Sequence, residues 1–286
     1  MLSSVCLGSF HFDIAMVLRD AKLINSIMVN SEAWHNVQQK HIQCLEKVDS
    51  DLMREIMNSH SKTAIEAYYF ELGKFPVRFT LSKRRFMYHW HILRRDNSEL
   101  IWKVYQAQKV HANRGDWVKL LNEEKEKYGL LITDQEIMKL SKEKFKQIVD
   151  EKVEKFAIDY LKTLAMKHRK SSGVANEKFG MKSYFSDRRF AKEDIQIVFA
   201  LRTKMIDVKT NFANLYENEN MNCRICKDSA SVEDENHLLI CEKLTEEPSD
   251  TQFSDVYDNT DKQLAAAKVF KRLLRIRQVY MDANQT

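Results

Sequence analysis

PVRFTLSKRRFMYHWHILRR, residues 76–95, is the stretch from which the fold is read. Pro76 suits the first turn of a helix, where a missing backbone N–H costs nothing. Phe79, Phe86, Trp90 and Leu93 follow at steps of seven, four and three, so they share one helical face and predict a core contact. Six Lys or Arg and no acid lie between Arg78 and Arg95. Arg84, His91 and Arg94 fall off the apolar face, where they can follow a phosphate backbone. His89 and His91 are two apart and point away from each other on a helix, so they predict no ligand pair.

Helical spacing extends to both sides. Phe12–Val29 carries Ile14, Ala15, Leu18, Leu23, Ile24, Ile27 and Met28, and a second helix follows through Val37, His41, Cys44, Leu45, Val48, Leu52 and Ile56. Lys40, Glu46, Lys47 and Ser50 fall on that helix's other side. Lys62–Leu72 reads as a helix closed by Gly73. Beyond Arg95, Asp96-Asn97-Ser98 predicts an N-cap for Glu99–Lys109, and Asp116–Tyr128 and Asp134–Lys167 read as further helices. The last has a narrow apolar seam (Ile137, Leu140, Phe145, Ile148, Val153, Phe156, Tyr160, Leu164) and reads as a partly exposed connector. A linker is expected from Ser171-Ser172-Gly173 to Gly180. Then come a helix near Lys192–Asp207, a polar loop around Pro248 and a terminal helix over Asp261–Tyr280. The chain's 286 residues include only six Gly and two Pro, where average usage gives about 20 and about 14. That scarcity excludes turn-dense β architectures. No GxGxxG or GxxxxGK[ST] phosphate loop occurs. The fold class is mainly α.

Cys223-Arg-Ile-Cys226 is followed after ten residues by His237 and after three more by Cys241. A CxxC pair suits a tight knuckle that turns two thiolates on one ion. His237 and Cys241, four apart, project from one helix face. The four donors predict a closed structural site for one Zn²⁺, since thiolate and imidazole suit that ion. A redox CxxC would open a helix in a thioredoxin-like setting, which this chain lacks. Cys6 and Cys44 read as buried apolar residues. Five Cys in all, an odd number, argue for a metal cluster with free thiols over a disulfide framework.

Charge is unevenly distributed around a net +5. Twelve acids lie from Glu217 to Asp258, against Arg224, Lys227 and Lys243. Basic residues gather instead in three places: Arg78–Arg95, Lys162–Lys192 and the terminal helix with Lys268, Lys271, Arg272, Arg275 and Arg277. This pattern points to a polyanion partner. No Asp-Asp dipeptide is present for a two-metal polymerase site, and no GxSxG elbow. The sequence predicts no enzyme site. No run approaches 18 apolar residues, and the first ten residues make a poor signal peptide. An intracellular protein of nucleus and cytoplasm, with no membrane partner, is expected.

Four segments together resemble a known family: Leu23-Ile-Asn25-Ser26 through Asn30-Ser31-Glu32-Ala33-Trp34; Glu71-Leu-Gly73-Lys-Phe-Pro76-Val-Arg78-Phe79 into Arg84–Leu93; Arg114-Gly115-Asp116-Trp117; and the Cys223–Cys241 cluster with Glu235-Asn-His237. Their order and spacing, over residues 10–280, resemble the region downstream of the catalytic palm in reverse transcriptases of non-LTR (LINE-like) retrotransposons. His35, Asn36 and Leu72 depart from the family pattern. The resemblance implies a thumb-like helical bundle (1–95), a helical connector (96–180), a zinc-binding module (181–245) and a C-terminal basic helix (246–286). It further implies a C-terminal portion of an RNA-directed DNA polymerase whose palm, the source of the catalytic Asp residues, lies upstream. The expected partners are RNA and DNA, as an RNA–DNA duplex, element RNA or target DNA, together with that palm. Expected phosphate contacts are Arg78, Lys83, Arg84, Arg85, Arg94, Arg95, Lys268, Lys271, Arg272 and Arg275. The alternative is a zinc-stabilised protein-interaction module in a degenerate or domesticated copy.

Overall fold

A computed structural model describes residues 11–35, 37–111, 113, 115–216, 220–245 and 250–283. Cys6, Asn36, Arg114 and Pro248, singled out in the sequence, lie outside the described residues. The main helices are α1 (Phe12–Leu18), α2 (Gln39–Met57), α3 (Ile65–Leu72), α4 (Val77–Ile92), α5 (Leu100–Val110), α6 (Trp117–Tyr128), α7 (Asp134–Lys139), α8 (Lys142–Lys167), α9 (Ser172–Ala175), α10 (Lys192–Arg202), α11 (Glu235–Ile240) and α12 (Thr260–Ala283). Short 3₁₀ turns and a π-helical stretch, Arg19–Ile24, join them. The described residues form no strand, only isolated bridges at Leu72–Met181 and Asn222–Val232. The fold is mainly α, as expected. Among the described residues no helix is long and apolar enough to cross a membrane.

The chain divides into two compact units that interleave in sequence. The first takes residues 1–15, 54–73 and 164–286; the second takes 16–53 and 74–163. Neither matches the consecutive segments expected from the sequence, because each unit's core is closed by stretches far apart in the chain.

α4 is the central helix of the second unit. Val77 and Leu81 pack with Ile24, Met28 and Ile42 on one side. Phe79, Phe86, Ile92 and Leu93 pack with Trp117, Leu121, Tyr128, Phe145, Val149 and Val153 on another. A helix buried on two sides cannot leave its cations in water, so it pairs them internally. The α8 seam is Phe145, Val149, Val153 and Ala157, all 0% exposed. It is therefore core, not a partly exposed connector. The expected Asp134–Lys167 helix breaks at Leu140, whose backbone is extended, and Ser141 Oγ then accepts the Lys144 N–H at 3.2 Å.

Other expectations shift by register. In α2 the buried positions are Ile42, Asp49, Ser50, Met53, Ile56 and Met57; Ile56 is buried as predicted, while Ile42, Asp49 and Met53 lie one step from the predicted face and Val48 and Cys44 are exposed. Cys44 is thus not a buried apolar residue. Buried Asp49 accepts Arg19 Nε at 2.6 Å and Nη2 at 2.5 Å, a charge pair that decides the register. α5 starts at Leu100 with Glu99 at its N-cap position; Asp96 Oδ1 instead accepts Ser98 N–H at 2.8 Å within the preceding turn. α7 begins in a capping box between Thr133 and Glu136. At its first turn Asp134 accepts from Tyr105 OH and Lys109 Nζ, each at 2.7 Å. Fully buried His89 lies 2.9 Å from that same hydroxyl.

In the first unit Tyr68 and Phe199 pack at 5.0 Å between centroids, and Tyr184 stacks on Phe185 at 4.3 Å. Beneath them lies a buried ion pair: Arg202 Nη2 donates to Glu71 Oε1 at 2.8 Å, and Tyr184 OH donates to Glu71 Oε2 at 2.6 Å. Gly73 ends α3 at φ +60°, and a Cβ there would stand 2.4 Å from Met181 N. Only glycine meets both demands. The expected linker at Ser171 is folded: Val174 and Ala175 are buried, and Ser171 Oγ donates to Ala165 O at 2.9 Å.

Candidate metal centre

The knuckle forms because Asn222 and Val232 bridge and carry the chain back on itself; Cys223 N–H reaches Ser231 O at 3.0 Å and Glu233 N–H reaches Met221 O at 3.0 Å. Between them Lys227 takes φ +58° and returns its N–H to Cys223 O at 3.0 Å. The Ile225 N–H points at Cys223 Sγ, 3.4 Å away, a bond that partly offsets the rise that burial imposes on that thiol. Asp234 then caps α11, its Oδ1 accepting the His237 N–H at 2.7 Å. That cap sets His237 in the first turn of α11 and Cys241 at its end.

Cys223, Cys226, His237 and Cys241 thereby bring one ligand atom each to within 4.8 Å of one another. Nε2 of His237 faces Cys226 Sγ at 3.4 Å. Cys223, His237 and Cys241 are buried and Cys226 is half-buried. Burial, with the neighbouring thiols of Cys223 and Cys226, pushes Cys241 up to about 12. A set of three sulfurs and an imidazole converging in a buried place is neutralised by a cation. The four residues fit one metal ion.

The centre is tied to its surroundings through Glu233, which is fully buried. Glu233 accepts from the Arg224 backbone and guanidinium and from Arg277 Nη2 at 2.9 Å. Burial alone would raise its carboxyl, but the bonds from Arg224 and the charge of Arg277 hold it below its usual value. Ala266, Phe270 and Leu273 of α12 pack in one cluster with Cys223, Leu238 and Cys241. Sequence spacing did not single out Glu233 or Asp234.

The basic residues expected to meet phosphate fare differently. Arg78 is bidentate to Glu46 at 2.6 and 2.5 Å, and Lys83 holds Asp150 at 2.9 Å and Glu154 at 2.6 Å. Arg84 donates to Met28 O at 2.5 Å and Asn25 Oδ1 at 2.7 Å. Arg85 is buried against Glu124, so it is not a surface cation as expected. Arg94 stacks 3.7 Å above the Trp90 ring and donates to the carbonyls of Ile137, Met138 and Leu140, where a cation suits the end of α7. Arg95 is exposed, 3.7 Å from Glu99. On α12, Lys271 bridges Glu193 and Asp194. Arg275 reaches Glu193 at 3.0 Å while 68% exposed. Lys268 and Arg272 are exposed and pair with no described residue.

No protein-family profile matches the chain, and no curated protein or solved structure is detectably similar to it.

Proposed function

We propose that the chain binds nucleic acid without catalysing a reaction, and that its metal is a structural Zn²⁺. In this reading it corresponds to the thumb, connector and zinc-binding region of a non-LTR retrotransposon reverse transcriptase, with the palm supplied from upstream. One observation carries the reading: α12 turns Ala266, Phe270 and Leu273 into the metal module's core and keeps Lys268 and Arg272 on its outer side, unpaired. The ion fixes the helix, and the helix presents cations. Zinc is favoured because a tetrahedron with Zn–S of about 2.3 Å and Zn–N of about 2.0 Å has an S···N edge of about 3.5 Å, close to the 3.4 Å between Cys226 and His237.

Three cations on one helix, Lys268, Arg272 and Arg275, predict a modest salt response. Affinity for an RNA–DNA duplex should fall about forty-fold between 50 and 200 mM salt, and Lys268→Glu with Arg272→Glu should remove most of it. Absence of binding at 50 mM salt would overturn the reading. It would favour protein docking instead, for which a groove of about 500 Å³ lined by Leu239, Ile240, Phe253 and Tyr257 beside α11 speaks.

A further inference from the structure

In the second unit, α4, α8 and the Ser31–Ala33 turn enclose a groove of about 480 Å³, a volume usual for a small organic ligand. Met87 and Val149 supply apolar wall, and Tyr88 lines it with an aromatic ring. Part of its lining is already held in place. Trp117 Nε1 donates to Glu32 O at 2.7 Å, Arg84 is fixed on Met28 and Asn25, and Lys83 and Lys146 clamp Asp150 at 2.9 and 2.6 Å. The side chains of Glu32, Thr80, Tyr88 and His91 also line the groove, yet none of them hydrogen-bonds to a described residue. Walls are preorganised while recognition groups stay uncommitted, which is the economy of a binding site.

We propose that this groove takes one unpaired nucleobase of a single strand together with its phosphate. Flat apolar faces suit Met87, Val149 and the Tyr88 ring, and stacking on an aromatic is how unpaired bases are held. The guanidinium of Arg84, whose partners Met28 O and Asn25 Oδ1 are neutral, suits the phosphate. Glu32, an acceptor without a partner, suits an exocyclic amino group, so adenine, cytosine and guanine are favoured over thymine. Both signs of charge line the groove, so a uniformly acidic or basic peptide would meet repulsion on one wall. The inference rests on the nucleic-acid reading and narrows it to a single-stranded site with a base preference.

Anisotropy of labelled oligo(dC) and oligo(dT) 12-mers with the full chain at 50 mM salt tests it. Oligo(dC) should bind roughly tenfold tighter. Glu32→Gln should level the two, and Tyr88→Ala should weaken oligo(dC) roughly tenfold. Photo-crosslinking of 5-iodo-dC in the same 12-mer to the unmodified chain, which needs no variant to fold, should label the peptide holding Met87 and Tyr88. Equal affinity for the two oligomers, or crosslinks confined to other peptides, would overturn the groove. If binding then persists and is lost in the Lys268→Glu and Arg272→Glu variant, the nucleic-acid reading survives. Failure of both oligomers and the RNA–DNA duplex to bind would end both.

Discussion

Arg277 Nη2, in the last turns of α12, donates 2.9 Å to Oε1 of Glu233, and Glu233 also accepts the backbone N–H of Arg224 beside the first donor cysteine. One fully buried carboxylate thus joins the metal knuckle to the terminal helix. Replacing it leaves Arg224 and Arg277 with Asp207 as their remaining carboxylate, and losing one partner of a buried pair costs about 3–5 kcal/mol. Glu233→Ala should lower the urea midpoint accordingly. It should also reduce the α12 contribution to far-UV circular dichroism at intermediate urea.

Metal should count as folding energy in the first unit. With free Zn²⁺ a thousandfold above its Kd, binding adds about 4 kcal/mol. The purified chain should hold one Zn²⁺ by atomic absorption. A strong chelator should lower the melting temperature, and Cys241→Ser should bring the stoichiometry close to zero. A chain that carries no ion and ignores the chelator would contradict this.

Glu71 and Arg202 offer a second buried pair, 0% and 1% exposed at their side chains. Glu71→Ala leaves the Arg202 charge without its main partner and should cost about 3–5 kcal/mol, whereas Glu71→Leu with Arg202→Met should recover much of the loss. Urea titrations of both single variants and the double variant form the cycle that decides it.

Gly73→Ala should destabilise by more than the roughly 1–2 kcal/mol of a left-handed residue. The added Cβ also meets Met181 N and Gly180 backbone atoms, which cannot rotate away. Gly129, at φ +64° with open space around its Cβ position, should lose only the conformational part. Comparing the two alanine variants by thermal melting separates clash from strain.

Acid should weaken the second unit in two stages. Burial pushes His89 below its ordinary 6.5, against the opposing hydrogen bond that it donates to Asp134. Burial alone would raise Asp134, but hydrogen bonds from His89, Lys109 and Tyr105 hold it well below the usual carboxylate range. In both cases the unfolded chain binds the proton first as pH falls. Stability is therefore whole above about 6.5, declines below it as unfolded histidine protonates, and declines again below about 4 as unfolded aspartate does. Urea midpoints at pH 7, 5 and 3.5 measure this, and His89→Gln should flatten the first stage and, by removing one hydrogen bond to Asp134, shrink the second.

The helical class, the place of most helices and the four metal donors were legible in the sequence, because spacing of three and four and a CxxC–HxxxC pattern are local signals. Helix ends at Gly73 and near Pro76 were legible for the same reason. The register of α2 was not, since it turns on Arg19 reaching Asp49, thirty residues away. Nor was the break at Leu140, which follows from how α7 and α8 each pack.

Local chemistry by itself determined that this chain is helical and that Cys223, Cys226, His237 and Cys241 can share an ion. Tertiary structure alone decided which cations are spent. A run of Arg and Lys reads the same whether its helix is central or peripheral, but α4 is buried on two sides, so Arg78, Lys83 and Arg85 turn to Glu46, Asp150 and Glu124. On α12, Lys268 and Arg272 keep their charge for solvent or a partner, because only the opposite face of that helix is needed to close the metal module.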